Sequence, residues 1–488
     1  VFTCTPADDV ESGTFSCICH SPAFMRLNAL VEHKFSRRAF LAGAAAMGAG
    51  GLLSPKAVMA AIPEAPTRPV VFTNVRIFNG TSGQLIEGQR VVVDGNKIKA
   101  VEPKGEAAPD GADVIDGGGR TLMPGLIDAH WHAMMAPLPM LDLMTADVGY
   151  IYLAAAEEAR KTLLRGFTSI RDLAGPAFGL KRAIDAGLNP GPRIWPSGAM
   201  ISQTSGHGDF RLPYEVPAQI DAQLSRGESI GGGMVADGVD QVLKRAREQL
   251  MLGASQLKLA AGGGVASNYD PIDASQYTEA EFRAAVDSAE NWGTYVTVHA
   301  YTPRAIQTAI RGGVRCIEHG QLMDEETAKI MADKGIWLSS QAFIENEFAN
   351  PYPEGSPNRA KQRTMFAGTD TAFELAKQYK LKTAWGTDIL FDPSMTKNQG
   401  AILGTMSRWY SNDEILVMAT GGNAEMLAMS GPRNPYPGKI GVVEADAYAD
   451  LLLVDGDPTV DIRLLADPDK NFKIIMKDGR IYKDALRG

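Results

Sequence analysis

Cysteine is scarce in this chain: four in 488 residues, with Cys4, Cys17 and Cys19 crowded into the first 20. Past residue 60 only Cys316 remains. No internal disulfide can staple that part, so its stability has to come from burial. The Cys-Ile-Cys at 17–19 lacks the second pair that a metal-binding loop would need. Positive charge is not in excess either. Lys and Arg number 48 against 57 Asp and Glu, for a formal charge of −9. That argues against a nucleic-acid partner, whose phosphates select a basic stripe. Blocks of like charge and fixed-period repeats are also missing. What is present, 45% hydrophobic and 22% charged residues, suits a folded enzyme or scaffold. The length would hold several average domains, or one large barrel with a small companion.

The first 60 residues read as an address. "SRRAFLAGAAAMGAGGLLSPKAVMA" runs from basic through weakly apolar to small residues, which suits cleavage after Ala60. Ser36-Arg37-Arg38-x-Phe40-Leu41 resembles the twin-arginine export signal of bacteria. The apolar run is glycine-rich and short of the roughly 20 residues a membrane-spanning helix needs. Export to the periplasm is therefore expected, with no membrane association after cleavage. Residues 1–24 precede the signal, and Met25 would be a natural start.

Both ends of the remaining chain read as β. "PVVFTNVRIFNG" and "QRVVVDGNKIKAVEP" near the front, and "LLLVDGDP" and "FKIIMKDGRIYKD" near the back, are β-branched runs broken by Asn-Gly and Asp-Gly. Between them strands are expected at about 121–128, 167–171, 193–198, 255–260, 295–299, 314–318, 336–341 and 382–387. They alternate with stretches such as 150–166, 238–253, 279–293 and 324–335, which repeat apolar residues at three and four and end in glycine. Eight strands alternating with helices predict an α/β fold, a (β/α)8 TIM barrel, beside a small β-sandwich domain built from both chain ends. The expected boundaries are 1–60 for the signal segment, 61–119 and 431–488 for the small domain, and 120–430 for the barrel. A doubly wound sheet is the alternative, but no glycine-rich fingerprint follows the first strand.

The five histidines past residue 60 all fall at or just beyond the ends of expected strands: His130, His132, His207, His299 and His319. Lys258 ends the fourth strand and Asp388 the eighth. Catalytic groups of such barrels gather on that rim. Taken singly, each has a plainer reading, as a hydrogen-bonded core histidine or a helix-capping aspartate. Their common placement does not. In His130-x-His132 both imidazoles share one face, because strand side chains alternate. Imidazole with carboxylate suits zinc or another divalent transition metal. Lys258 sits between Leu257 and Leu259, so it is expected to point into the barrel, where an unpaired ammonium is costly. A buried lysine of lowered pKa is a nucleophile towards carbon dioxide, and the resulting carbamate could bridge two ions.

The set His130, His132, Lys258, His299, His319 and Asp388, with "MPGLIDAHWH" at 123–132, resembles the two-metal members of the amidohydrolase superfamily. "TSGHGD", "KLAAGGGVAS" and "HAYTPRAI" are similar to its branch of Xaa-Pro dipeptidases, carboxypeptidase-like enzymes and ochratoxin A-degrading amidases. The resemblance implies two divalent ions, most simply zinc, bridged by N6-carboxylated Lys258. His130, His132 and Asp388 would serve one ion, and His299 and His319 the other. It further implies a shared hydroxide as nucleophile, Asp388 as proton carrier, and His207 and Tyr301 as oxyanion or substrate contacts. A homo-oligomer, up to an octamer, is expected by the same resemblance. The expected substrate is a small amide or peptide next to an apolar or aromatic residue with a free carboxylate: dipeptides, N-acyl amino acids or ochratoxin A. Tyr214, Tyr269 and Phe343 are candidates for its apolar wall, and Arg211 for the contact to its carboxylate. Prolidase proper, a single-metal ring hydrolase of the imidazolonepropionase or deaminase kind, and a non-catalytic scaffold are the alternatives.

Overall fold

The computed structural model describes residues 63, 64, 66–216, 223–349 and 352–487. The signal-like segment and its cleavage point lie outside them. The chain enters through β1 (Val70–Phe78), β2 (Leu85–Ile86), β3 (Gln89–Asp94), β4 (Lys97–Pro103) and β5 (Asp113–Pro124). It leaves through β16 (Leu451–Val454), β17 (Phe472–Lys477) and β18 (Arg480–Asp484). These form one mixed sheet in the order β18-β17-β16-β5-β1-β3-β4, with β2 on β1. The two ends of the chain meet where β16 runs antiparallel to β5, Leu453 opposite Leu122. Strand alternation sends Val91, Val93, Leu451, Leu453, Ile474 and Met476 into the core of the β domain. Met123, Leu452, Val454 and Ile475, one residue out of phase, join the core that the sheet shares with the barrel.

The strand expected over 121–128 is two strands. Gly125 breaks it, its N–H donating to Asp450 O (2.9 Å), so residues up to Pro124 belong to the small domain. The barrel begins with β6 (Leu126–Trp131). It continues with β7 (Phe167–Asp172), β8 (Arg193–Pro196), β11 (Leu257–Ala260), β12 (Val296–Ala300), β13 (Cys316–His319), β14 (Trp337–Ser340) and β15 (Thr383–Trp385), eight parallel strands. Two short strands, β9 (Met200–Ser202) and β10 (Gly233–Val235), extend the sheet beside β11. Two seams close the ring. Ser255 N–H donates to Pro196 O (2.8 Å) between β11 and β8. Between β6 and β15, the Asn423 amide donates to Ile127 O (2.7 Å) and Trp385 O (2.8 Å).

All four expected helices form. Asp147, Thr278 and Asp324 cap three of them with side-chain oxygens, and Gly253 ends the fourth in the left-handed conformation. The longest helix, Pro357–Gln378, escaped the periodic reading because its buried face alternates Met365 and Phe373 with Arg359, Gln362 and Thr369. Among the described residues no helix is long and apolar enough to cross a membrane.

Candidate metal centre

Barrel strands are buried on both faces, so a polar side chain on one of them is committed to the barrel interior. Leu257 and Leu259 pack outward among Val242, Phe282 and other helix residues, which turns Lys258 inward. His130, His132, Lys258, His299, His319 and Asp388 all line one cavity of about 180 Å³ at the carboxyl-terminal rim, as do His207 and Tyr301. His130, His319 and Asp388 each place a ligand atom within 4.8 Å of the others. His132 joins them through Nε2, 2.9 Å from Asp388 Oδ1, and His130 Nε2 lies 3.1 Å from the same oxygen. His299 packs edge-on against His319, ring centroids 4.5 Å apart.

The local backbone explains the convergence. Asp388 has φ 55 and His319 φ 77, left-handed conformations that non-glycine residues adopt at a cost. Asp388 N–H donates to His130 O (2.8 Å), which pins the loop after β15 onto β6. Gly386 lets this happen, since a Cβ there would lie 2.2 Å from His130 N.

The donor set fits a metal. A ligating imidazole uses one nitrogen and is oriented through the other. His130 Nδ1 lies 2.9 Å from Glu318 Oε2, His319 Nδ1 2.7 Å from Gln341 Oε1, and His299 Nε2 3.1 Å from Gly263 O. Burial holds His132, His299 and His319 below the usual imidazole range, so they keep the neutral, lone-pair form. His132 Nδ1 is buried and has no hydrogen-bond partner among the described residues, which is unusual for such a group. Burial brings Lys258 down to about 8, which raises its free-amine fraction at neutral pH. Asp388 stays well below the carboxylate range: burial opposes ionisation, but the adjoining His130 and His132 outweigh it.

Beneath the histidines lies a buried polar layer that the sequence reading passed over. Arg171 Nη2 reaches Glu318 Oε1 (2.7 Å) and Oε2 (2.9 Å), both residues fully buried. Arg171 also donates to Ala129 O (2.6 Å) and Ser339 Oγ (3.1 Å). Asp128, in the "LIDAH" motif, accepts from Thr387 Oγ1 (2.8 Å) and Gln399 Nε2 (2.9 Å) and so braces the β6–β15 seam. The argument that singled out Lys258, a charge within a buried strand, applies equally to Arg171 and Glu318 and would have found both.

His207, in the loop after β9, stacks on His299 at 3.9 Å and 21°. Burial lowers it to about 4. Its Nδ1 is 2.9 Å from Ser267 Oγ. When the Ser267 hydroxyl points to Gly264 O (3.2 Å), Nδ1 carries the ring proton; when it turns to Nδ1, Nε2 does. A Cβ at Gly264 would lie 1.8 Å from His207 Nδ1. Gly264→Ala should therefore displace His207; with His207 in the expected role of oxyanion contact, kcat falls by about a hundredfold, the scale of one lost transition-state donor. Metal content should stay at the wild-type level, and steady-state kinetics with elemental analysis checks both.

The rim residues divide. Phe343 lines the cavity and stacks on His319, centroids 6.1 Å apart. Tyr214 is 82% exposed and lies off the cavity, and Tyr269 donates to Arg211 O (2.8 Å). Arg211 is already engaged, with Nε and Nη2 on the two oxygens of Asp209 (2.8 and 2.6 Å). Arg211 is also not among the described residues that line the cavity, so the expectation that it awaits a substrate carboxylate there is not met.

The sequence matches the Amidohydrolase family over residues 121–483. It is 30% identical to the ochratoxinase of Aspergillus niger over 373 residues, 74% of this chain and 75% of that protein. Among solved structures it is similar to an amidohydrolase with TM-score 0.78 and 34% identity, covering 86% of this chain and 100% of the other. It is similar also to a prolidase complexed with N-methylphosphonate-L-proline, with TM-score 0.77 and 34% identity, covering 85% and 100%. Together with the histidine–aspartate cluster at the barrel rim, these likenesses define a metal-dependent hydrolase acting on C–N bonds. The chain belongs to the amidohydrolase family.

Proposed function

We propose that the enzyme is a binuclear amidase or peptidase that cleaves an amide next to an apolar or aromatic amino acid bearing a free carboxylate. One observation carries this reading: all six ligand-type residues share one cavity with a wall of Phe343, Phe348, Tyr352, Met365 and Phe366. His130, His132 and Asp388 would hold one ion and His299 and His319 the other, zinc by donor chemistry, with carboxylated Lys258 between them. Divalent cations bound there supply an activated water and polarise the scissile carbonyl.

The chain's own groups do the rest. Asp388 Oδ1 lies beside His130 Nε2 and His132 Nε2, the ligand atoms that would share the ion, which leaves Oδ2 to take a proton from the attacking water and return it to the leaving amine. Tyr301, raised well above the ordinary phenol range by burial, keeps its proton and can donate to a developing oxyanion. Such a donor contributes about 2.7–4 kcal/mol. Apart from Lys258, no lysine or arginine is among the described cavity-lining residues. The substrate carboxylate would accordingly meet neutral donors such as Asn346 and Tyr352.

The likeness to ochratoxinase supports an aromatic amide, ochratoxin A among the candidates. The prolidase structure complexed with a proline phosphonate supports the second reading, an Xaa-Pro dipeptidase. Export through the Ser36–Ala60 segment and a homo-oligomeric state complete the proposal.

The test is a panel of N-acyl-phenylalanines, Xaa-Phe and Xaa-Pro dipeptides and ochratoxin A, assayed with and without chelator. Hydrolysis of the phenylalanine amides is expected, lost on chelation and restored by zinc, with about two ions per chain. Esterifying the substrate carboxylate should lower kcat/KM. One ion per chain with activity on cyclic amidines or purines would overturn the reading, and a preference for Xaa-Pro would select the second.

A further inference from the structure

The loop that leaves β11 touches two of the site's imidazoles, and a lysine from a distant helix holds that loop. Gly263 O lies 3.1 Å from His299 Nε2, and Ser267 Oγ lies 2.9 Å from His207 Nδ1. Lys361, in the first turns of the helix Pro357–Gln378, donates from Nζ to Gly264 O (3.1 Å) and Ser267 O (2.8 Å). Asn358 of the same helix donates to Val265 O (2.7 Å). Lys361 does not line the cavity, and the chemistry set out above does not use it.

Asp270, buried in the same loop, is the counterweight. Its Oδ2 accepts from Gly264 N–H (2.8 Å) and Gln276 Nε2 (3.1 Å), and Gln276 Oε1 accepts in turn from His207 N–H (2.9 Å). Oδ2 also stands 4.0 Å from His207 Nδ1. Oδ1 is buried without a hydrogen-bond partner among the described residues, and Lys361 Nζ faces it at 3.9 Å. These contacts bear on which His207 nitrogen carries the ring proton, a choice set by what the ring nitrogens meet. A carboxylate beside Nδ1 draws the proton there. Lys361 opposes this twice. Its ammonium offsets the Asp270 charge, and it binds Gly264 O, the other acceptor within reach of the Ser267 hydroxyl (3.2 Å). A carbonyl already engaged by a charge-assisted bond is the poorer acceptor, so the hydroxyl turns to Nδ1, the nearer of the two.

We propose that Lys361 is a positioning residue of the reaction: it turns the Ser267 hydroxyl onto His207 Nδ1 and so keeps the ring proton on Nε2, as a donor to a substrate oxygen in the cavity that His207 lines. Without Lys361 the Asp270 carboxylate is unopposed, the proton moves to Nδ1, and Nε2 becomes an acceptor, which repels a developing oxyanion instead of stabilising it. The inference deepens the amidase reading, on which the oxyanion role of His207 rests.

Long-range proton–nitrogen correlation spectra of the zinc-loaded, full-length enzyme, isotope-labelled in its histidine rings, read the tautomer directly. The His207 signals are those missing from His207→Ala. The proton is expected on Nε2 in the unaltered enzyme and on Nδ1 in Lys361→Met. With the substrate that the enzyme hydrolyses best, Lys361→Met should lower kcat about a hundredfold, with KM and zinc content unchanged. In a His207→Ala background the same substitution should change kcat by no more than about twofold, because its effect runs through the missing ring. A proton on Nδ1 in the unaltered enzyme, or the same tautomer in Lys361→Met, would overturn the proposal. So would an equal loss of kcat with and without His207, which would make Lys361 a packing residue only. The spectra need no substrate, so a failed amidase reading and a failed tautomer assignment give different results.

Discussion

Lys258→Ala is expected to purify folded, with fewer than one divalent ion per chain instead of the two proposed for the unaltered enzyme, and with hydrolysis at the background of the assay. Lys258 is buried within β11 and lines the same cavity as the four imidazoles and Asp388, and burial lowers its pKa to about 8. In the proposed reading the free-amine fraction present at neutral pH would take up carbon dioxide, and the carbamate would replace a buried cation with a two-oxygen anionic ligand. The plainer role is a fixed positive charge facing the Glu318 and Asp388 carboxylates, which raise its pKa against the burial that lowers it. Lys258→Arg separates the two. A guanidinium keeps the charge but forms no carbamate, so metal and activity should be lost there as fully as in the alanine variant. Retention of both in Lys258→Arg would reduce Lys258 to a counter-ion. Elemental analysis, with circular dichroism as the control for folding, decides it.

Arg171→Met should cost about 3–5 kcal/mol of stability, because it strands the Glu318 carboxylate in the barrel without its cation. The pair is fully buried, and Arg171 holds Glu318 well below the carboxylate range although burial alone would raise it. Glu318 in turn orients His130 through Nδ1, so the variant should also weaken metal retention, by the 10–100-fold typical of a lost orienting partner. The double variant Arg171→Met/Glu318→Met removes both charges and should recover much of the stability while metal retention stays poor. Urea denaturation with metal-release measurements checks this. If the double variant is no more stable than Arg171→Met, the unpaired carboxylate is not the source of the cost.

These two residues mark how far local reading extends. Lys258 was legible because Leu257 and Leu259 beside it announce a buried strand, and a charge there demands an explanation. Arg171 and Glu318 carry the same signal in "TSIRD" and "CIEHG", but their meaning lies in a pairing across 147 positions. The longest helix was missed because its inward face is partly polar. Gly125 hid the change of sheet between β5 and β6, since both strands are apolar and only their partners differ. Arg211 looked free because nothing in its spacing reveals a fork-to-fork grip on Asp209.

By itself the amino-acid sequence determined the eight alternating strands and helices, the β domain shared by the two ends, and the placement of histidines, lysine and aspartate at strand termini. All of these follow from periodicities of two and 3.6 residues and from the cost of burying polar groups, which act between near neighbours. Only the tertiary structure decided which imidazole nitrogen faces Asp388, what braces each ligand from behind, and which cations are already spent. Those outcomes depend on ring closure at the β6–β15 and β8–β11 seams, which brings into contact side chains that no local pattern relates.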